Sequence, residues 1–455
     1  MIGDIFERFE RKSPLAIMAR LIIQRALSPQ WIDEAFEQHR DKQYTRELLF
    51  STVVELMMLV ALGLRPSLHA AAQARGELAV SLAALYDKVN HTEPEVVRAL
   101  VQGSAEQLAP VSKPLKAQQE PWAGGYRVRV LDGNHLAASD KRLKPLRGFR
   151  GAALPGQSLV VYAPEVDLVV DVLPAEDAHA QERALMGPVL SRVQPGELWL
   201  ADRNFSTTRI LVALHDKQAA FIIREHGRTP SPTEVGPLKE IGRVETGNVF
   251  EQAVQIEDET GRKVTLRRIE LHLDEPTEDG ETLIRLLTNV PAERMSAQDV
   301  ARLYRRRWSI EGMFGRLESV LQSEVSTLGH PRAALLAFGV AVLAYNVLSV
   351  LQSAVEAEHQ LSATEVSSYY IASEVKATYG GMMIAVPETL WEDFEAQTAD
   401  ELSRTLQQMA ARVSPAKLRK HPRGPKKKVK KGYAPGAVAR RHVATARVLR
   451  GKEST

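Results

Sequence analysis

Residues 303–318 read LYRRRWSIEGMFGRLE and combine a phenol, a guanidinium and carboxylates at helical spacing. On a helix that turns about 100° per residue, four polar residues fall within roughly 60° of arc: Tyr304, Arg307, Glu311 and Glu318. Such a row suits phosphate binding and metal binding side by side. A solvated ladder of salt bridges is an equally good interpretation of the row taken alone.

Two aspartates stand where strand-like segments end. Asp132 follows the alternating segment YRVRVL, and Asp202 follows the short apolar segment in LWLADRNF. Ligands gather at strand ends in open α/β sheets, so both side chains are candidates for one site with Glu311. An aspartate after a strand is also a common turn former or helix cap, and that interpretation stays open for each residue alone.

Three acids brought together repel one another, and a divalent cation relieves that repulsion. The chain has no cysteine, and no histidine pair accompanies the acids. Oxygen ligands of this kind suit Mg²⁺ or Mn²⁺ better than Zn²⁺. Two such ions can activate a water or a 3′ hydroxyl and stabilise the leaving oxygen in phosphoryl transfer.

The elements that must position these residues divide the chain into four predicted segments. Residues 1–118 are predicted to be helical, and residues 119–330 to form an α/β domain with a β-rich insertion at about 225–282. Helices are expected again over 331–415, followed by a basic, flexible tail over 416–455. The alternation of strands and helices between 126 and 224 predicts an α/β fold.

Charge and hydropathy are unevenly distributed along the 455 residues. Residues 417–455 hold 14 lysines and arginines against one acid, Glu453, and the run KKKVKK at 426–431 is typical of polyanion contacts, nuclear import signals or solvated tails. The uncharged segment from Ala333 to Leu351 is interpreted as a buried helix, not a membrane span, because it contains polar residues and no second span accompanies it. The absence of cysteine fits a reducing, intracellular compartment.

Taken together, the motifs resemble those of the DDE transposases of bacterial insertion sequences, in the branch with a tyrosine–arginine–glutamate–lysine signature. That family has an Asp after its first strand, here in LDGNH at 131–135, and a second Asp before Arg and an aromatic residue, here in ADRNF at 201–205. Its Tyr-x2-Arg-x3-Glu motif is matched by Tyr304, Arg307 and Glu311, and LLTNV at 286–290 is also similar. One position departs from the signature, since Glu318 stands where the family has lysine. Arg316 and the basic tail are candidates to replace that cation.

The resemblance implies an RNase H-like catalytic core in which Asp132, Asp202 and Glu311 hold two Mg²⁺ or Mn²⁺ ions. It further implies cut-and-paste transposition, with cleavage at the element ends and strand transfer into target DNA by a cytoplasmic homodimer. Tyr304, Arg307 and Trp308 would contact double-stranded DNA at the terminal inverted repeats, although Trp308 is at least as readily interpreted as a core residue. Two alternatives remain: a DNA-binding protein of the same descent that no longer cleaves, and a metal-independent hydrolase that uses the acids as an acid/base pair.

Overall fold

The computed structural model describes residues 2–45, 47–76, 78–137, 139, 143–149, 153–227, 230–277, 279–323, 325, 327–421 and 443–453. The lysine run at 426–431 and most of the predicted flexible tail therefore lie outside the described residues. The ends of the predicted tail are described. Lys420 N donates to Glu365 O at 2.8 Å, and Arg447 Nε lies 2.5 Å from Asp177 Oδ2.

The helices that precede the sheet begin at residues suited to start them. Proline occupies the first turn of several helices, where its missing N–H costs nothing, and the Ser28 side chain accepts a hydrogen bond from Trp31 N. These helices are α1 (Ile2–Lys12), α2 (Pro14–Ala26), α3 (Pro29–His39), α4 (Phe50–Ala61), α5 (Leu68–Arg75), α6 (Leu82–His91) and α7 (Pro94–Leu115).

Eleven strands and two short helices follow in the described part of the chain between Arg127 and Thr288. They are β1 (Arg127–His135), β2 (Ala153–Leu154), β3 (Gln157–Ala163), β4 (Leu168–Ala175), α8 (Met186–Arg192), β5 (Glu197–Ala201), α9 (Thr208–Asp216), β6 (Ala220–Arg224), β7 (Thr233–Glu234), β8 (Lys239–Val244), β9 (Gly247–Glu257), β10 (Lys263–Leu273) and β11 (Leu283–Thr288). A 3₁₀ turn at Glu182–Leu185 directly precedes α8.

The remaining chain is again mainly helical. Its elements are α10 (Ala297–Arg306), α11 (Ser309–Ser319), α12 (Pro331–His359), α13 (Ser368–Ala385), α14 (Thr389–Glu392), α15 (Ala399–Ala410), β12 (Val443–Ala444) and α16 (Thr445–Glu453). Strand β12 pairs with β2 in a separate two-stranded sheet.

Ten strands of the described residues form one mixed sheet in the order β4-β3-β1-β5-β6-β11-β10-β9-β7, with β8 also paired to β9. Strands β1, β5 and β6 are parallel, and β3, β4 and β11 run antiparallel to their neighbours. The β-rich insertion is therefore continuous with the core sheet through β10 and β11. This arrangement, with helical regions before and after it, confirms the predicted RNase H-like α/β fold.

Alternation of side chains along the strands gives the sheet two apolar faces. Val128 and Val130 belong to the larger core, which includes α2, α4, α7 and α12, whereas Leu131 belongs to the smaller core with α8 and α9. The uncharged segment predicted as a buried helix lies in α12. This helix is long and apolar enough to cross a membrane, but 94% of its apolar window is buried inside the protein.

The prediction of one continuous helix over 303–318 is wrong. Helix α10 ends at Arg306 and α11 begins at Ser309. Between them the chain tightens into i→i+3 hydrogen bonds, from Arg307 N to Tyr304 O at 3.0 Å and from Ile310 N to Arg307 O at 3.1 Å. The backbone stays in the right-handed helical region, so the sequence keeps its helical periodicity across the break. Tyr304 and Glu311 consequently lie on two helices.

Candidate active site

The register of two parallel strands brings Asp132 and Asp202 together. Leu131 of β1 is paired with Ala201 of β5, and Asp132 and Asp202 are the next residues. Asp202 directly follows β5 as predicted, whereas the prediction that the first strand ends at Asp132 is wrong, because pairing with β3 continues β1 to His135. Neighbouring strands lie about 4.8 Å apart, and paired residues of parallel strands point to the same face. Asp132 continues the alternation of Val128 and Val130, so it points to the face covered by the larger core.

The Asp132 carboxylate is largely buried and has two donors. Its Oδ1 accepts from Gly133 N at 3.0 Å, and its Oδ2 accepts from Arg307 Nη1 at 3.0 Å. Burial raises the pKa of Asp132 to about 6, against the lowering effect of Arg307, and the charge of Asp202 adds to the rise. Burial and the nearby charge of Asp202 thus outweigh the effect of Arg307 and disfavour the ionised carboxylate. A bound cation would relieve this penalty.

Asp202 caps the short 3₁₀ helix that follows β5. Its Oδ1 accepts from Asn204 N at 2.8 Å, which confirms the capping interpretation of this residue. Capping uses one oxygen and does not exclude a second role. The charge of Asp202 also acts on Asp132, Glu182, Tyr304 and Arg307, so it lies at the centre of the polar cluster.

Glu182 is a third carboxylate beside the aspartates, and no sequence motif points to it. Its Oε2 accepts from Asn204 Nδ2 at 3.2 Å. Its Oε1 lies over Gly133, where an added Cβ would come within 1.9 Å of that oxygen. Burial raises the pKa of Glu182, and Asp202 contributes to the rise. Glu182 lies in a 3₁₀ turn without apolar periodicity, so only the folded chain brings it here.

Tyr304 and Arg307 are buried beside the two aspartates and keep unused hydrogen-bonding atoms. Each residue is 7% exposed, and neither Tyr304 Oη nor Arg307 Nε has a partner of acceptable geometry among the described residues. Burial raises the pKa of Tyr304 to about 12, so its hydroxyl remains a proton donor at neutral pH. Buried donors without partners are expensive unless a ligand satisfies them.

Glu311 and Trp308 are exposed near this cluster. Glu311 lies in the first turn of α11, a helix that packs against β1, and Trp308 is 57% exposed at the turn between α10 and α11. The interpretation of Trp308 as a core residue is therefore wrong. Among the described residues, no group of three or more histidine or acidic side chains is arranged to hold a metal ion. Asp132 and Asp202 adjoin each other, and the expected closure of the triad by Glu311 stays a prediction.

The buried and electrostatically coupled carboxylates fit a hard divalent cation in their chemistry. They are oxygen donors, the charge of Asp202 helps to raise the pKa of Asp132 and of Glu182, and buried donors for a phosphate lie next to them. The residues that could hold the ion are Asp132 and Asp202, with Glu182 and Glu311 as the neighbouring carboxylates.

Arg316 cannot stand in for the missing signature lysine, because it is bound within the fold. Its guanidinium donates to Asp167 at 3.3 Å and to Tyr345 Oη at 2.5 Å. Asp167 Oδ1 also accepts from Tyr162 Oη and Tyr345 Oη, each at 2.6 Å. This cluster ties the last turn of α11 to the sheet and α12, while Glu318 is exposed. The basic tail remains the candidate source of a replacement cation.

Comparison with known proteins gives one family. No curated protein matches the chain significantly. A family model described as "Transposase DDE domain" matches residues 123–347, which begin before β1 and end within α12. The match includes both aspartates, Glu311 and the polar cluster around them. The segment 123–347, just under half of the chain, is therefore similar to a DDE transposase domain, in agreement with its RNase H-like fold.

Proposed function

We propose that the protein is an active DNA transposase that cuts double-stranded DNA at the ends of its mobile element and joins the freed 3′ hydroxyls to target DNA. The observation that carries the proposal is that Asp132 and Asp202 directly follow the paired residues Leu131 and Ala201 of adjacent parallel strands, beside two buried donors that lack partners among the described residues. Asp132, Asp202 and Glu311 are proposed to hold two Mg²⁺ or Mn²⁺ ions. Bound there, such ions activate the attacking oxygen and stabilise the leaving oxygen.

The protein's own residues prepare this site for a phosphodiester. Arg307 pairs with Asp132 and keeps part of that carboxylate ionised despite its burial. Tyr304 Oη and Arg307 Nε, which lack a hydrogen-bond partner among the described residues, are proposed to donate to phosphate oxygens of the DNA backbone. Hydrogen bonds to such a charged group are strong. Exposed Trp308 offers an aromatic face on which a nucleotide displaced from the helix can stack.

The remaining parts of the proposal follow from the family and the charge distribution. Residues 1–118 are proposed to contribute DNA binding, and the basic tail over 416–455 to bind DNA phosphates. Because two element ends must be joined, the active form is proposed to be a homodimer in the bacterial cytoplasm.

The test uses the full-length protein and duplex DNA that carries the inverted repeats flanking its gene, with Mg²⁺ or with EDTA. Strand cutting is expected with Mg²⁺ only. Asp202→Asn should abolish cutting and leave DNA binding in place. Asp216→Asn is a matched control, because Asp216 is half-exposed at the end of α9, away from the aspartates, and its ion pair is with Arg262. DNA binding without cutting in the wild-type protein would replace this proposal with the second candidate.

That second candidate is a transposase-derived DNA-binding protein without cleavage activity. Glu318 favours it, because an exposed anion at the signature lysine position repels phosphate. The variant Glu318→Lys separates the two candidates. If Glu318 alone impairs an otherwise intact site, this variant gains metal-dependent cutting, whereas a protein that has lost its metal site gains DNA affinity only.

A further inference from the structure

An open pocket of about 360 Å³ lies next to the aspartates, at the strand ends on the side of α8 and α9. Its volume falls within the range of about 300–1,000 Å³ typical of small-ligand sites. Glu182 and Asn204 line the pocket and connect it to the aspartates, because they are hydrogen-bonded to each other and Asn204 N also donates to Asp202. The residues that matter for its chemistry are His135, Glu182, Arg183, Arg203, Ser206 and Thr207.

Ser206 is the strongest sign that this pocket receives a ligand. It is 1% exposed, it lines the pocket, and its Oγ has no hydrogen-bond partner among the described residues. A buried hydroxyl without a partner opposes folding unless a bound molecule satisfies it. The unpartnered oxygen therefore indicates a polar ligand atom close to Ser206.

The charges around Ser206 favour an anion. Thr207 caps α9, a helix of nine residues, so the positive end of the helix dipole lies at the pocket. Arg203 and Arg183 are exposed at its rim, with Arg203 also paired to Glu281 at 3.1 Å. Glu182 is the opposing charge, but its Oε2 accepts from Asn204 and its Oε1 lies over Gly133, at the aspartate side. An anion thus fits at the Ser206 side, away from the carboxylates.

We propose that this pocket binds one nucleotide of a DNA strand, with its phosphate at Ser206 and the N-terminus of α9. The proposal rests on the proposed function, since it places a strand of the DNA substrate next to the aspartates. Arg183 and Arg203 compensate the phosphate charge, and the remaining volume of the pocket receives the sugar and base. This contact is separate from Tyr304 and Arg307, which lie under the opposite face of the sheet.

The test measures binding of thymidine 5′-monophosphate to the full-length protein by saturation-transfer NMR in EDTA, with thymidine and inorganic phosphate as the other probes. The nucleotide should bind, phosphate should compete with it, and thymidine should bind at least tenfold more weakly. Ser206→Ala should weaken binding about three- to tenfold, and Arg183→Ala roughly tenfold or more. Arg192→Ala is the matched control on neighbouring α8, where Arg192 is exposed and faces Glu106, and it should change nothing.

Thermal unfolding keeps the test decisive for Ser206. Because Ser206 Oγ has no partner among the residues that the structure describes, Ser206→Ala should leave the melting temperature unchanged or slightly raised. A lowered melting temperature with unchanged nucleotide affinity would show a structural hydroxyl and overturn the proposal. Equal binding of thymidine and the nucleotide, binding of inorganic phosphate without the nucleotide, or no binding would also overturn it.

Loss of DNA cutting and loss of nucleotide binding can be told apart in these experiments. Asp202→Asn removes metal-dependent cutting but should retain nucleotide binding in EDTA. A wild-type protein that binds the nucleotide and never cuts DNA would contradict the transposase activity and leave the pocket intact.

Discussion

Replacing Asp167 by asparagine removes one charge from the cluster that ties α11 to the sheet. Asp167 is 7% exposed, and its carboxylate accepts from Tyr162, Tyr345 and Arg316. Its backbone has φ of 51°, a left-handed conformation that asparagine adopts readily. The substitution therefore changes the charge and the hydrogen bonds while the backbone conformation is retained.

The expected loss of unfolding free energy is about 3–5 kcal/mol, since Arg316 would be left as a buried charge without its partner. Part of this loss depends on pH. Burial opposes ionisation, but Arg316 and then Lys116 dominate and lower the pKa of Asp167 to about 2. The ionised carboxylate thus contributes stability of about 2 kcal/mol above pH 4, which disappears as the pH falls towards 2.

Urea denaturation of both proteins, followed by tryptophan fluorescence between pH 7 and pH 3, measures the difference. The gap between wild type and Asp167→Asn should be largest at pH 7 and should narrow below pH 4. Asp393→Asn is the control, because Asp393 is exposed at the end of α14 and should change stability by less than about 0.5 kcal/mol. A loss below 1 kcal/mol for Asp167→Asn would refute the reasoning that this ion pair anchors α11.

Four further outcomes follow from the site and the tail. Because burial raises the pKa of Asp132 to about 6, the folded protein binds an extra proton between about pH 6 and pH 4, so stability should rise by up to about 3 kcal/mol as the pH falls through that window. Asp132→Asn should flatten this slope in urea denaturation. Gly133→Ala should force the flexible end of Glu182 away and cost about 0.5–1.5 kcal/mol, and adding Glu182→Ala should recover the loss. Trp308→Ala should change the melting temperature little but weaken DNA binding in fluorescence anisotropy. Neutralising the lysines of 426–431 should reduce the salt dependence of DNA affinity, and an unchanged slope would show that this run makes no phosphate contacts.

The strands that carry the aspartates were predictable from local sequence. The alternating segment before Asp132 and the apolar segment before Asp202 both form strands, and their pairing places the two acids together. The buried state of α12 was predictable for the same reason, since an uncharged apolar segment with scattered polar residues suits the core of a protein. In each case the local pattern of apolar and polar residues was enough to predict the element or its burial.

Other features depend on contacts between distant parts of the chain. The break at Arg307 leaves the backbone helical, so periodicity cannot reveal it. Glu182 becomes part of the site only when its turn packs over Gly133. The ion pair between Arg316 and Asp167 joins residues separated by almost 150 positions. The continuation of the sheet from β11 into β10 requires a register that no single strand specifies.

The backbone ladder between β1 and β5 fixes the distance between the two aspartates more firmly than their side chains do. The interstrand spacing is about 4.8 Å, which places the two residues next to each other at the edge of the paired segment. Inserting or deleting one residue in β1 ahead of Leu131 would turn Asp132 to the other surface and separate it from its partner. Length changes are therefore tolerable in the loops around these strands but not within them, and the placement of the two carboxylates depends on an unchanged pair of strands.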